Sequence, residues 1–304
     1  MLDNDVAPPP PPDGDEIAVV APGRIVGTDQ TLTQALLNAS PGDVFVLGGG
    51  DYDPVDVSGV NGTSAQPIII RAVTDANPPV FSTHRYHDGP FNAGIELANS
   101  NFVEIHDVHV RHSLWGILVD NSSDIVLDDV DVENIGQEAV RVRAEGNNAI
   151  SERIEIRNSR IGDTGNRPDD QHGSYIDFGE GIYLGDGNSV SSGGEVVRDV
   201  TIERNEIFGT TSEAIDVKAT VRDVTIRDNT IYDIDTGTTG AVVIHADGTR
   251  NSNGTRVGDD PEIVVIGNDI RDVTRRTDRY SIGSAIVTAT HAHIENNTIH
   301  NVQH

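Results

Sequence analysis

A chain of 304 residues with 36% hydrophobic but only 4% aromatic side chains is thin material for a conventional globular core, and its 31 glycines suit one repetitive domain. The formal net charge of −28 argues against nucleic acid as a partner, because phosphate binding needs a basic surface, and the absence of cysteine excludes disulfides and thiolate metal sites. No apolar run approaches the roughly 18 residues that would span a membrane as a helix.

The opening MLDNDV has no apolar leader-like core, and Pro8 to Pro12 form a semi-rigid polyproline run. Residues 1–16 are read as a Pro-rich linker or tail left after a secretion signal, which makes a secreted or cell-surface location the expectation. An adventitious start on an intracellular protein is the other reading. The remainder, 17–304, is read as a single domain. Thr31-Leu-Thr-Gln34 has the form of a capping box opening a short helix to Ala39, stopped by Pro41-Gly42.

Seven later segments then share one pattern, starting at Ala93 (AGIELA), Trp115 (WGILVD), Glu138 (EAVRVR), Glu180 (EGIYLG), Glu213 (EAIDVK), Gly240 (GAVVIH) and Ser284 (SAIVTA). The second position is always Gly or Ala, the third always Ile or Val. Period-two alternation puts the third and fifth positions inside and the fourth and sixth outside. Each segment leads to a second run such as VEIHDVHV, IVLDDVDV or VTIERNEI, and one column of these runs holds Asn205, Asn229, Asn268 and Asn297, placed to hydrogen-bond up a stack.

This pattern resembles the pectate-lyase-like superfamily. The implied fold is all-β: a single right-handed parallel β-helix, a solenoid with a short N-terminal capping helix over its first coil. PGDVFVLGGGDY and NGTSAQPIIIRA resemble the opening coils of secreted β-helix polysaccharide lyases. The fold alone does not fix a function, since it hosts lyases, hydrolases, epimerases and adhesins.

The first coils are about 22 residues long, and the next spacings are 42, 33, 27 and 44 by subtraction of the start positions. The excess must leave as loops, at Gly162–Gly179, Gly185–Glu195 and Ala246–Asp260, which would wall a groove over the first strand run. Beneath them the outward columns bring together Arg141, Arg143, Tyr183, Asp216, Lys218 and His245, an exposed polar patch in the middle coils. Glu138, Glu180 and Glu213 follow one another in the first column. Strict alternation would bury them in the core, so the strand is expected to bend there and turn them outward. Three carboxylates about 5 Å apart repel, and a hard cation such as Ca2+ is the natural remedy. Solvated glutamates beside the two arginines are the alternative.

Glu213-Ala-Ile-Asp-Val-Lys218 resembles the site strand of polysaccharide lyase family 6, the alginate and dermatan lyases, where a lysine follows a calcium-binding glutamate by five residues. The resemblance implies calcium at Glu213, a neighbouring-coil ligand at or beside Glu180, and catalysis by Lys218. The chain departs from the family in carrying Thr211 where a second glutamate is expected and His245 where an arginine is expected. The implied chemistry is β-elimination of an acidic, uronic-acid polysaccharide, alginate-like. Lys218 would be base or carboxylate clamp, with His245 or Tyr183 as base in the second case. Arg141, Arg143, Asp216 and Trp115 are substrate-binding candidates, Trp115 by stacking on a sugar face or merely by packing.

The rival functions are a glycoside hydrolase acting on an acidic polysaccharide, with Glu180, Glu213 and Asp216 as its carboxylates, and a non-catalytic glycan-binding or adhesin β-helix. Lys218 is the sole lysine against twenty arginines. That acidic, lysine-poor balance is read either as a halophilic or marine source or as ordinary surface bias. At the far end, Asn296 to His304 reads as one more strand with no cap, so a further domain or another chain is expected to cover it.

Overall fold

The structure is a computed structural model that describes residues 16–19, 31–74, 76–83, 92–165, 179–186, 195–236, 240–245, 262–275, 283–288 and 291–303. Pro8–Pro12, Ala289, His304 and the loop Ala246–Asp260 lie outside the described residues, as do 166–178 and 187–194 of the other two expected loops. No helix among the described residues is long and apolar enough to cross a membrane.

The chain winds through three parallel sheets, visited in turn by each coil. The first contains Val55–Ser58, Ala93–Ala98, Trp115–Asp120, Val140–Arg143, Ile182–Leu184, Ile215–Val217, Val242–Ile244 and Ile286–Thr288. The second runs from Glu16–Val19 through Asn101–His106, Ser123–Asp128, Ile150–Arg157, Val196–Glu203 and Val221–Arg227 to His293–Glu295. The third includes His109–Ser113, Asp131–Ile135, Arg160–Gly162, Glu206–Phe208 and Thr230–Tyr232.

Register follows the sequence columns without a slip: Ile95, Ile117, Val140, Ile182, Ile215, Val242 and Ile286 are successive partners. All of these but Ile286 are buried, as are Leu97, Val119, Val142, Leu184, Val217 and Ile244 two positions on. Each such side chain contributes roughly 1.5–3 kcal/mol on burial, so a core of Ile, Val and Leu stacked on like residues dispenses with large aromatics. The second column is small because coils approach closely there. A Cβ on Gly116 would fall 2.2 Å from the carbonyl oxygen of Ala139 on the next coil.

The corners are made by short polar side chains. Asn205 donates from Nδ2 to Oδ1 of Asn229 at 3.0 Å, Asn229 to Asn268 at 2.9 Å, and Asn268 to Asn297 at 2.8 Å, the stack expected from the sequence. A second stack, not anticipated, joins the first sheet to the second. The backbone N–H of Ser100 donates to Oγ of Ser122 at 3.0 Å, and that of Ser122 to Oγ of Ser151 at 3.1 Å. Beside the corners and within the second and third sheets, Asp107, Asp124, Asp129, Asp163, Asp199, Asp223, Asp228, Asp233 and Asp272 hold a left-handed backbone. Asp and Asn tolerate that conformation better than other residues with a Cβ. Part of the acidity of the chain is therefore a conformational demand of the turns.

The capping helix spans Leu32–Leu37. It starts where expected, with Thr31 Oγ1 accepting from the Gln34 N–H at 3.3 Å, but ends two residues before Ala39. Asn38 stops it by donating from Nδ2 back to the Gln34 carbonyl at 2.7 Å. Leu32, Ala35 and Leu36 are buried on the first coil. Glu16–Val19 adds one strand outside Val44–Leu47. In the last coil, His293–Glu295 and Thr298–Val302 pair with the coil before and leave Ile294 and Ile299 exposed.

Candidate active site on the first sheet

The backbone bends at Ala139, Gly181 and Ala214, one residue before each strand, as the glutamate column requires. The glutamates leave the core face there and meet the outward column. One carboxylate oxygen each from Glu180, Glu213 and Asp216 lie within 4.8 Å of one another. The expected solvated patch is corrected in one respect: these three side chains are only 3%, 4% and 0% exposed. Arg141 and Glu138 are buried as well, and so are the outward-facing Leu118 and Val243. Lys218, Tyr183 and Arg143 are partly buried, and His245 is exposed. The outer face of this sheet is therefore a low-dielectric environment, where charges interact strongly and unpaired ones are costly.

Hydrogen bonding is incomplete in the cluster. Glu180 Oε2, Asp216 Oδ1 and Glu138 Oε2 are buried without a hydrogen-bond partner. Ser212 donates its hydroxyl to Glu213, and Lys218 Nζ pairs with Asp216 Oδ2. His245 Nε2 stands 3.9 Å from Asp216 Oδ1, and Lys218 Nζ 5.0 Å from the centre of the Tyr183 ring. Burial, then the charges of Glu138, Glu213 and Asp216, push Glu180 well above the usual carboxylate range. Burial lifts Asp216 to about 7, against the lowering pull of Lys218. Burial pulls the Lys218 ammonium down, but the charge and hydrogen bond of Asp216 outweigh it and the net shift is upward. His245 is lowered, by burial first and then by Lys218. Burial takes the Tyr183 phenol to about 12.

The acidic triad suits a hard cation. Its ligands are all oxygens, two of its members carry unpartnered buried oxygens, and a 4.8 Å spread spans opposite sides of an ion with oxygens at roughly 2.4 Å. Glu138, the third expected metal ligand, lies outside that triad and faces Arg141 at 3.9 Å instead. Asp216, expected to bind substrate, joins the triad in its place. Thr211, which stands where the resemblance expects a glutamate, has a buried unpartnered hydroxyl. A Cβ on Gly165 or Gly179 would fall within 2.0 Å of that oxygen, so both glycines are required by its position.

Toward the N-terminal end of the sheet, the Arg141 guanidinium lies over the Trp115 ring, 4.6 Å from its centre. Arg143 Nε is 3.7 Å from Asp120, and its terminal nitrogen pairs with Glu145. The sequence missed Asp120, Ser212 and the buried state of the cluster. Asp120 lay in the same outward column, but Ser212 precedes the repeated segment and falls in none of its columns.

A family model described as right handed beta helix region matches residues 93–251, just over half of the chain. By structure, the chain is similar to an alginate lyase from Paenibacillus sp. str. FPU-7, with a TM-score of 0.64, 21% identity and coverage of 93% of this chain and 98% of that one. It is also similar to a pectate lyase, Bsp165PelA from Bacillus sp. N165 in complex with trigalacturonate, with a TM-score of 0.55, 15% identity and coverage of 96% and 84%. At these identities the likeness shows the shared fold. No curated protein matches the sequence.

Proposed function

We propose, for a chain that belongs to the right-handed β-helix family, that it is a secreted polysaccharide lyase cleaving a uronic-acid polymer by β-elimination on its first sheet. The observation that carries this reading is the buried Glu180–Glu213–Asp216 triad set directly against Lys218 and His245. Alginate and pectate, named for the two similar structures, are both uronate polymers, which favours an acidic substrate of that class, alginate-like in the first instance.

Calcium held by Glu180, Glu213 and Asp216 would offset their charge and draw electron density from a substrate C6 carboxylate. The protein supplies the rest. Lys218, kept protonated beside Asp216, clamps the C6 carboxylate and makes the C5 proton more acidic. His245, kept neutral by its lowered pKa, accepts that proton. The C4–O bond breaks, a C4=C5 double bond forms, and the leaving oxygen takes a proton from the Tyr183 hydroxyl, which holds its proton at neutral pH. Arg141, Arg143 and Trp115 lie along the same face to bind the rest of the glycan.

A lyase screen over alginate, pectate, glucuronan and glycosaminoglycans tests this by ultraviolet absorbance of the unsaturated product, with and without calcium. A reducing end without that absorbance favours the hydrolase reading, for which the raised pKa of Glu180 would suit a general acid. Binding without cleavage favours the adhesin reading. The pH profile separates the two base candidates. With His245 as base, activity is flat across the alkaline range; with Lys218 as base, it keeps rising there.

A further inference from the structure

On the second sheet, Phe102, Asp124, Arg153, Asp199 and Asp223 fall at the same place on consecutive coils, between residues whose partners are in register. All of them hold a left-handed backbone, with φ from 52° to 57°. Aspartate tolerates that conformation, but a bulky side chain is strained in it. Phe102 is the only apolar side chain with such a backbone among the described residues. Strain that the surrounding fold holds in place is a pointer to function. The ring of Phe102 is also unclaimed. Trp115, Tyr183, Phe208 and Tyr232, the other aromatics that are not buried, each stack on a cation or on another ring. No cation or ring stacks on Phe102 among the described residues.

Phe102 is half-buried and lines a groove of about 420 Å³, within the size range of small-ligand sites. One wall is a tight turn in which Thr63 and Gln66 exchange backbone hydrogen bonds of 2.9 and 3.0 Å. Gly62 lets that turn close on Phe102, since a Cβ there would fall 2.5 Å from the Phe102 carbonyl oxygen. Glu104, Asp124 and Glu155 line the groove as well, and each already has a basic partner. Arg153 holds Asp124 through two bonds of 2.8 Å, His106 Nε2 stands 3.0 Å from Glu104, and Arg157 pairs with Glu155. A carboxylate with one partner keeps lone pairs that accept further hydrogen bonds. The single cation lining the groove among the described residues, Arg153, is committed to Asp124. The groove therefore combines an aromatic surface with hydrogen-bond acceptors and has no cation to spare for an anion.

We propose that the groove at Phe102 binds an uncharged oligosaccharide, on a different sheet from the acidic triad and independently of the reaction proposed there. A neutral sugar matches both features: the apolar C–H face of its ring packs on an aromatic side chain, and its hydroxyls donate to carboxylates. A uronate would meet like charge at Glu104, Asp124 and Glu155. Such a site tethers the protein to a neutral polysaccharide and leaves the first sheet free.

Cellohexaose, laminarihexaose, xylohexaose, mannohexaose and hexagalacturonate, titrated calorimetrically into the intact chain and into two variants, test this. At least one neutral hexasaccharide should bind. Phe102→Asn should weaken that binding about tenfold, the scale of losing one aromatic stacking contact. The same variant should melt at a higher temperature, because asparagine accepts the left-handed backbone that phenylalanine resists. Phe102→Tyr, which keeps the ring, should keep the affinity. Turnover of acidic polysaccharide and affinity for hexagalacturonate should be the same in all three proteins. The proposal is overturned if no neutral hexasaccharide binds, or if Phe102→Asn binds it as tightly as the parent. A lower melting temperature in Phe102→Asn also overturns it, because the ring is then a packing residue. Loss of hexagalacturonate affinity in Phe102→Asn overturns the assignment to an uncharged ligand.

Discussion

The second and third sheets and the first sheet handle charge in opposite ways. On the second, Asp128, Arg157, Glu203 and Arg227 are successive partners in one column, alternating in sign. Arg157 reaches Asp128 at 3.1 Å, and Arg227 pairs with Glu203. On the third, Asp131, Arg160 and Glu206 alternate in the same way, with Arg160 3.2 Å from Glu206. The first sheet instead places Glu138, Glu180 and Glu213 on consecutive coils and buries them. Like charges stacked directly are destabilising and opposite charges mildly favourable. These two columns thus follow what stability favours, and the first sheet departs from it where Lys218 and His245 converge. Local conflict with stability is a mark of function.

The largest expected effect is on turnover. Lys218→Ala should lower activity by about a thousandfold, the scale of removing a positioned acid, base or clamp, and should also lower the melting temperature, because it strips the buried Asp216 of its paired cation. Asn229→Ala should affect stability alone. Asn229 accepts from the Asn205 amide and donates to the Ile202 carbonyl and to Asn268. Leaving those groups unsatisfied should cost about 1–3 kcal/mol with turnover per folded molecule unchanged. Activity loss in the Asn229 variant without loss of stability would break the division between a scaffold corner and a working face.

Next in size is the response to metal and pH. A calcium concentration a hundredfold above its dissociation constant would stabilise by about 2.7 kcal/mol, a rise of several degrees that a chelator should reverse. The pH dependence of the chelated protein follows from the same triad. The folded-state pKa values of Glu180 and Asp216 are raised, Asp216 to about 7. Their contribution is therefore fully present below the unfolded carboxylate values near 4 and is lost as pH rises through about 7. The chelated protein should melt lower at pH 8 than at pH 5, calcium should narrow the gap, and Asp216→Asn should flatten the slope. Melting curves independent of both calcium and pH would remove the cation from the triad.

Most of the fold was legible because it is periodic. The Gly/Ala–Ile/Val pairs fixed the register of the first sheet, and the recurring asparagines marked one corner. The serine corner escaped because Ser100, Ser122 and Ser151 follow the variable end of a strand and do not share a fixed spacing. The membership of the site's columns was also readable, since register maps sequence columns onto space. Burial was not. Alternation says that Asp216 points outward, but it carries no information about burial, so the sequence groups Asp216 with an exposed patch rather than with the expected cation ligands Glu180 and Glu213. The exchange of Glu138 for Asp216 in the triad has the same origin: a column is one-dimensional, and the bend at Ala214 carries Glu213 across to the neighbouring column.

The smallest effect expected is on the alternating column. Arg157 is partly exposed and sits between Asp128 and Glu203 on adjacent coils. Arg157→Gln removes its pair with Asp128 and leaves two like charges nearer to an uncompensated neighbour. Such pairs are worth about 0–1 kcal/mol, and salt screens them. The variant should therefore lose at most a few degrees in melting temperature at low salt, less at high salt, and no activity. Glu180→Gln on the first sheet should have the opposite sign in chelator, because it removes a buried charge from a crowd of like charges and gains an amide donor beside unpartnered oxygens. It should raise the melting temperature while abolishing the response to calcium. If both variants instead lower stability alike, the first sheet is an ordinary ion-paired face, and its run of glutamates carries no functional meaning.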